Sequence, residues 1–150
     1  MNLRVPKKKI PLLVNLVGGT KVKGCIFLSH QSPIRLGGEL VIDLLNNDEP
    51  FFPIEIEDAA SIQIVNKKNA VFITTAEEDT KEEEIGKKQT ITVRLVDGQE
   101  VSGELIIDQP EYKSRVLDFL NNQEGQFFRL YAPPESHYIN TNYVSLVIPL

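Results

Sequence analysis

Val93-Arg94-Leu95-Val96-Asp97-Gly98-Gln99-Glu100-Val101-Ser102-Gly103-Glu104-Leu105 decides the fold, because nearly the same phrase stands earlier as Val14-Asn15-Leu16-Val17-Gly18-Gly19-Thr20-Lys21-Val22-Lys23-Gly24-Cys25-Ile26. Each version carries alternating apolar residues on both sides of a glycine turn, the period of two expected of a half-buried strand. Gly18-Gly19 and Asp97-Gly98 supply the positive φ angles that a two-residue hairpin turn demands. The chain therefore reads as a tandem duplication, with a first repeat over residues 8–74, a linker over 75–87 and a second repeat over 88–150.

Working outward from the hairpin, Leu40-Val41-Ile42-Asp43-Leu44-Leu45-Asn46-Asn47 matches Arg115-Val116-Leu117-Asp118-Phe119-Leu120-Asn121-Asn122, with Asp, Leu, Asn and Asn at the same places. In the second repeat Val116, Leu117, Phe119 and Leu120 fit a short amphipathic helical turn, and the asparagine pair suits its C-terminal cap. The first repeat is richer in β-branched residues and follows Gly37-Gly38, so the same place could there be extended. Both repeats continue into a Phe-Phe pair and a strand, Ile54 to Glu57 and Phe128 to Tyr131. They then turn about an asparagine, Asn66 or Asn140, and end on an apolar strand, Ala70 to Thr74 or Val144 to Leu150. Asparagine tolerates left-handed backbone geometry, which makes both residues turn formers. Gly24 and Gly103 fall inside the second strand of each hairpin, where a missing side chain allows close backbone approach. Val14, Leu16, Val22, Ile26, Val93, Leu95, Val101 and Leu105 are expected inside. The linker runs Thr75-Ala76-Glu77-Glu78-Asp79-Thr80-Lys81-Glu82-Glu83-Glu84-Ile85-Gly86-Lys87, almost free of apolar residues and self-repelling, and is expected to be extended and flexible.

The 150 residues carry a net charge of −5, spread as +2 over residues 1–75, −4 over 76–87 and −3 over 88–150. A general nucleic-acid binder shows a strong basic stripe, which this chain lacks as a whole. Lys7-Lys8-Lys9 beside a strand start read as solvated charges. With no apolar run of membrane-spanning length and no secretory apolar segment after Met1, a cytoplasmic location without a membrane span is expected. The single cysteine, Cys25, permits no internal disulfide and no cysteine-only metal site, in keeping with a reducing compartment.

The order strand, glycine turn, strand with an inner glycine, connector, two strands, turn and final strand resembles small five-stranded barrels of the Sm-like and SH3-like kind. Leu95-x-x-Gly98 to Gly103-x-Leu105, and Leu16-x-x-Gly19 to Gly24-x-Ile26, look like the first Sm motif. That family implies RNA binding in closed rings, or protein binding through loops. The second Sm motif, an Arg/Lys-Gly step before the last strand, is replaced here by Asn66-Lys67 and Asn140-Thr141. The repeated Asp-x-Leu-Asn-Asn with Phe-Phe is similar to an uncharacterised, often duplicated bacterial domain. The fold class expected is mainly β: two Sm-like or SH3-like units, bent sheets or barrels, each with a short helical or irregular connector.

No catalytic, cofactor-binding or metal-ligating set is expected. Cys25 could be activated only by His30 or His137, and the odd spacing of Cys25 and His30 puts them on opposite faces of a strand. Asp43 and Asp118 recur at matching places, but a repeated fold element needs the same polar anchor twice, supplied by backbone N–H groups or Arg115. When the hairpins are aligned, Leu13 matches Thr92, Cys25 matches Glu104 and Phe27 matches Ile106, so the first repeat is apolar where the second is more polar. Leu13, Val17, Cys25 and Phe27 are thus a candidate interaction surface, to be covered by the second repeat, a homodimer partner or another protein. These features favour a non-catalytic protein-interaction or scaffolding module of a bacterial cytoplasmic complex. The alternatives are an Sm-like nucleic-acid-binding protein and a small-molecule-binding domain.

Overall fold

A computed structural model describes residues 7–32, 37–57, 59–76, 86–108 and 115–150. Among these residues the chain forms ten strands and two short helices, and it divides into two compact units, Met1–Thr75 and Ala76–Leu150. The first unit holds β1 (Lys7–Leu16), β2 (Lys21–Ser29), α1 (Val41–Asn46), β3 (Phe51–Ile56), β4 (Ser61–Asn66) and β5 (Ala70–Ala76). The second holds β6 (Lys87–Leu95), β7 (Glu100–Ile107), α2 (Val116–Asn121), β8 (Phe127–Ala132), β9 (Glu135–Asn140) and β10 (Val144–Pro149). All the ladders within the units are antiparallel, ordered β5-β1-β2-β3-β4 in the first and β10-β6-β7-β8-β9 in the second. Neither sheet closes. The barrel alternative is corrected to an open sheet, because β4 leads through a 3-10 turn, Lys67–Asn69, into a β5 whose ladder in the unit is with β1.

The hairpins at the centre of each unit are longer-looped than the glycine pairs imply. Leu16 N–H bonds the Thr20 carbonyl at 2.8 Å and Leu95 N–H the Gln99 carbonyl at 2.8 Å, so three residues span each loop rather than two. In the second unit Gly98 N–H reaches the Leu95 carbonyl at 2.9 Å and Gly98 has φ +92°. That combination is an ordinary turn followed by a left-handed residue, the usual build of a three-residue loop. Asp97 sits at the turn with its carboxylate on the Gln99 N–H at 3.0 Å, and this bond holds its pKa below the ordinary value. Beyond each loop, Val17 N–H donates to the Asn69 carbonyl and Val96 N–H to the Tyr143 carbonyl, both at 2.9 Å. The hairpin tip of each unit is thereby tied to its last turn.

Gly24 and Gly103 lie where the second strand of each hairpin crosses the next strand. A Cβ on Gly103 would stand 2.6 Å from the Tyr131 carbonyl oxygen and 2.8 Å from Leu130 Cγ, and one on Gly24 would overlap the Glu55 carbonyl. Only a residue without a side chain lets the backbones come that near. The crossings are narrow, with Gly24 opposite Ile56 and Cys25 opposite Glu55 in one unit and Glu104 opposite Tyr131 in the other.

The core follows the period of two. Val14, Ile26, Val93, Leu95, Val101 and Leu105 are buried as expected, whereas Leu16 and Val22, near the hairpin tip, are only half-buried. Phe52 and Ile54 face inward in the first unit, Phe128 and Leu130 in the second. Both connectors are helical, so the extended alternative for residues 40–47 is set aside. Asp43 Oδ2 accepts the Leu40 N–H at 2.9 Å and satisfies a donor that the helix start leaves open, which offsets the β-branched content of Val41 and Ile42. Asn66 and Asn140 are turn residues, but not through the left-handed backbone expected of them: at φ −81° and −77° both are extended, and each side chain instead accepts the N–H two positions on, from Lys68 and Asn142, at 3.0 Å. Of the acidic linker, residues 77–85 lie outside the described residues, as does the lead-in before Lys7.

Candidate interaction surface

The strand register places Leu13, Cys25 and Phe27 on one face of the first unit, opposite Lys23, Pro11 and Lys9 respectively. Val17 lies past the end of β1, in the hairpin loop, and is 50% exposed. Phe27 is 36% exposed and Leu13 half-buried, but Cys25 is only 2% exposed. The Lys9 ammonium reaches Glu55 Oε1 at 3.3 Å across this face, and Cys25 Sγ lies 3.8 Å from Glu57 Oε1. Charged side chains are therefore interleaved with the apolar ones. Burial pushes the Cys25 thiol up, which keeps it protonated and unreactive. On the matching face of the second unit, Thr92 and Ser102 share a hydroxyl bond at 2.9 Å and Arg94 pairs with Glu100 at 2.9 Å.

The repeated carboxylates act as anchors for their own helices. Asp43 holds the Leu40 N–H, and Asp118 pairs with the Arg115 guanidinium at 3.0 Å. His30 is exposed just past the end of β2, and His137 sits half-buried on β9 with its pKa lowered by burial, against a smaller opposing effect of Glu135. Among the described residues, no group of three or more His, Cys, Asp or Glu converges as a metal would require.

A buried lysine escaped the sequence reading. Lys67, 3% exposed in the turn after β4, donates from Nζ to Asn47 Oδ1 at 2.6 Å. Burial lowers its pKa, partly opposed by Glu49, Asp48 and Glu39. In the second unit the same position is Thr141, whose hydroxyl donates to the Gln126 carbonyl at 3.1 Å. The lysine is thus a longer version of one fastening between the last turn and the segment before the Phe-Phe strand.

The larger apolar surface stands elsewhere on the first unit. Ile62 is 58% exposed, Ile64 72% and Phe51 49%. Ile64 lies opposite Pro53 and Ile62 opposite Glu55, so these side chains share the outer face, while Val65, opposite Phe52, turns inward. The sequence alone assigns no facing to Ser61-Ile62-Gln63-Ile64, and because side chains alternate along a strand, the register that turns Val65 inward turns both isoleucines outward. The outer edge of β4 pairs with no strand among the described residues. The same holds for β10, where Leu146, Ile148 and Leu150 are 39%, 38% and 71% exposed. No described helix is long and apolar enough to cross a membrane. Comparison of the chain with protein-family models, with curated proteins and with solved structures gave no match.

Proposed function

We propose that the chain is a non-catalytic protein-interaction module of a cytoplasmic bacterial complex, made of two copies of one Sm-like or SH3-like five-stranded unit. The duplication rests on the recurrence of strand order, inner glycine, helical connector, asparagine turn and hairpin-tip bond in both halves. The interaction function rests on β4. A free strand edge presents unpaired N–H and C=O groups, and proteins that must avoid pairing blunt such edges with lysine, proline or inward-facing charges. Ser61-Ile62-Gln63-Ile64-Val65-Asn66 contains none of these, and it adds two exposed isoleucines beside Phe51. An edge of this composition suits the addition of a partner strand, with main-chain bonds for affinity and the isoleucines for selectivity.

Ile64→Lys tests this directly. Its side chain is exposed, so the folded state should survive, and the expected outcome is a chain of parental circular dichroism that no longer elutes with its partner from native lysate. Co-elution equal to that of the parent would remove β4 from the binding surface.

A further inference from the structure

We propose that the occupant of the β4 edge is a second copy of this chain, which docks its β10 edge there, so that the molecules assemble head to tail. This deepens the interaction function proposed above and rests on it.

Taken unit by unit, the ladders end on β5 and β4 in the first and on β10 and β9 in the second, and these four strands differ in exposure. β5 and β9 are largely buried, with Val71, Phe72, Ile73 and Thr75 in one and Ser136, Tyr138, Ile139 and Asn140 in the other. β4 and β10 are the exposed pair, and they are the counterparts of the buried ones in the opposite unit. Each exposed strand is six residues long and free of charged side chains. A ladder between them would therefore match from Val144 to Ile148, stopping before Pro149, which has no N–H to donate.

The faces also agree. Ile62 and Ile64 share the outer face with Glu55 and Pro53, and Leu146 and Ile148 lie opposite Arg94 and Thr92 on the outer face of their unit. The alternate residues Val65 and Val147 turn the other way, Val147 opposite the fully buried Val93. Strands joined edge to edge with faces aligned bring same-face side chains within about 5 Å of each other. The four exposed residues would then form one apolar stripe, with Arg94 on one flank and Glu55 on the other.

Charge selects this pairing over a two-fold one. Residues 1–75 carry +2 and residues 76–150 carry −7. Contact of β4 with β10 brings units of opposite sign together, whereas β4 on β4 or β10 on β10 joins like with like. A contact between two different surfaces is heterologous and either closes into a ring or grows.

Sedimentation of the full chain and of two single variants, Ile64→Lys and Ile148→Lys, tests the proposal. The parent should associate with rising concentration, and each variant alone should sediment as a monomer. An equimolar mixture should give a one-to-one dimer and nothing larger, because one variant retains only β10 and the other only β4. Association of Ile148→Lys like the parent, or a mixture that stays monomeric, would overturn the head-to-tail contact. A parent that is monomeric throughout would overturn self-association, while the lysate co-elution of Ile64→Lys separately decides whether β4 binds another protein. Should either lysine variant lose its parental circular dichroism, Ile62→Gln and Leu146→Gln replace them with the same expected outcomes.

Discussion

At Gly103 the nearest atoms to an added side chain are the Tyr131 carbonyl oxygen and Leu130 Cγ, and the first of these belongs to a strand that cannot swing aside cheaply. Gly103→Val should therefore force β7 and β8 apart and lower the unfolding free energy by about 1–3 kcal/mol, as overpacking does. Chemical denaturation checks this, and a variant as stable as the parent would mean that β7 and β8 can separate at this crossing without cost. His137 sets a second expectation. Burial lowers its pKa from 6.5, so as pH falls the unfolded chain takes up the proton first. Stability is then full above the ordinary value, falls as pH drops below it, and levels once the folded imidazole is also charged. The parent should lose stability as pH falls through and below the ordinary histidine value of 6.5, and His137→Gln should lose less. Equal losses in both chains would assign the acid sensitivity elsewhere.

Among the elements, those fixed by local chemistry were legible. The glycine loops, the paired asparagine turns and the second helix all follow from short-range chemistry, the asparagines through side-chain oxygens that take the N–H two places on and not through left-handed backbone. The first helix was not, since Val41 and Ile42 favour strand, and its start depends on Asp43 reaching back to the Leu40 N–H. The loop length was misjudged because a glycine with positive φ serves two-residue and three-residue loops alike. Strand β4 shows the deeper limit. Its isoleucines at every second place do specify a strand, but periodicity does not say which set faces the core; that is decided by the ladder with β3, where Val65 meets Phe52. The candidate row of Leu13, Val17, Cys25 and Phe27 had the complementary difficulty. Facing could be read from the hairpin, yet the Lys9–Glu55 pair that crosses it joins residues far apart in sequence.

For the whole molecule, the charge of −7 on residues 76–150 bears on nucleic acid. Phosphate binding releases counterions only where cations gather, and here the cations are outnumbered. Titration with a short single-stranded oligonucleotide at physiological salt should show no sub-micromolar complex; a tight one would revive the Sm-like nucleic-acid function. The sheet order has a further consequence. In each unit the first strand lies between the second and the last, so Leu12 waits for Thr75 and Thr92 for Ile148. Contacts so distant in sequence form late, and they slow folding relative to hairpins. During synthesis, β1 and β2 can zip as soon as both have emerged, yet β1 keeps a bare side until β5 follows. Translation pauses between the two would leave a nascent chain with its central strands half-clothed, and that interval is where a chaperone would find the most to hold.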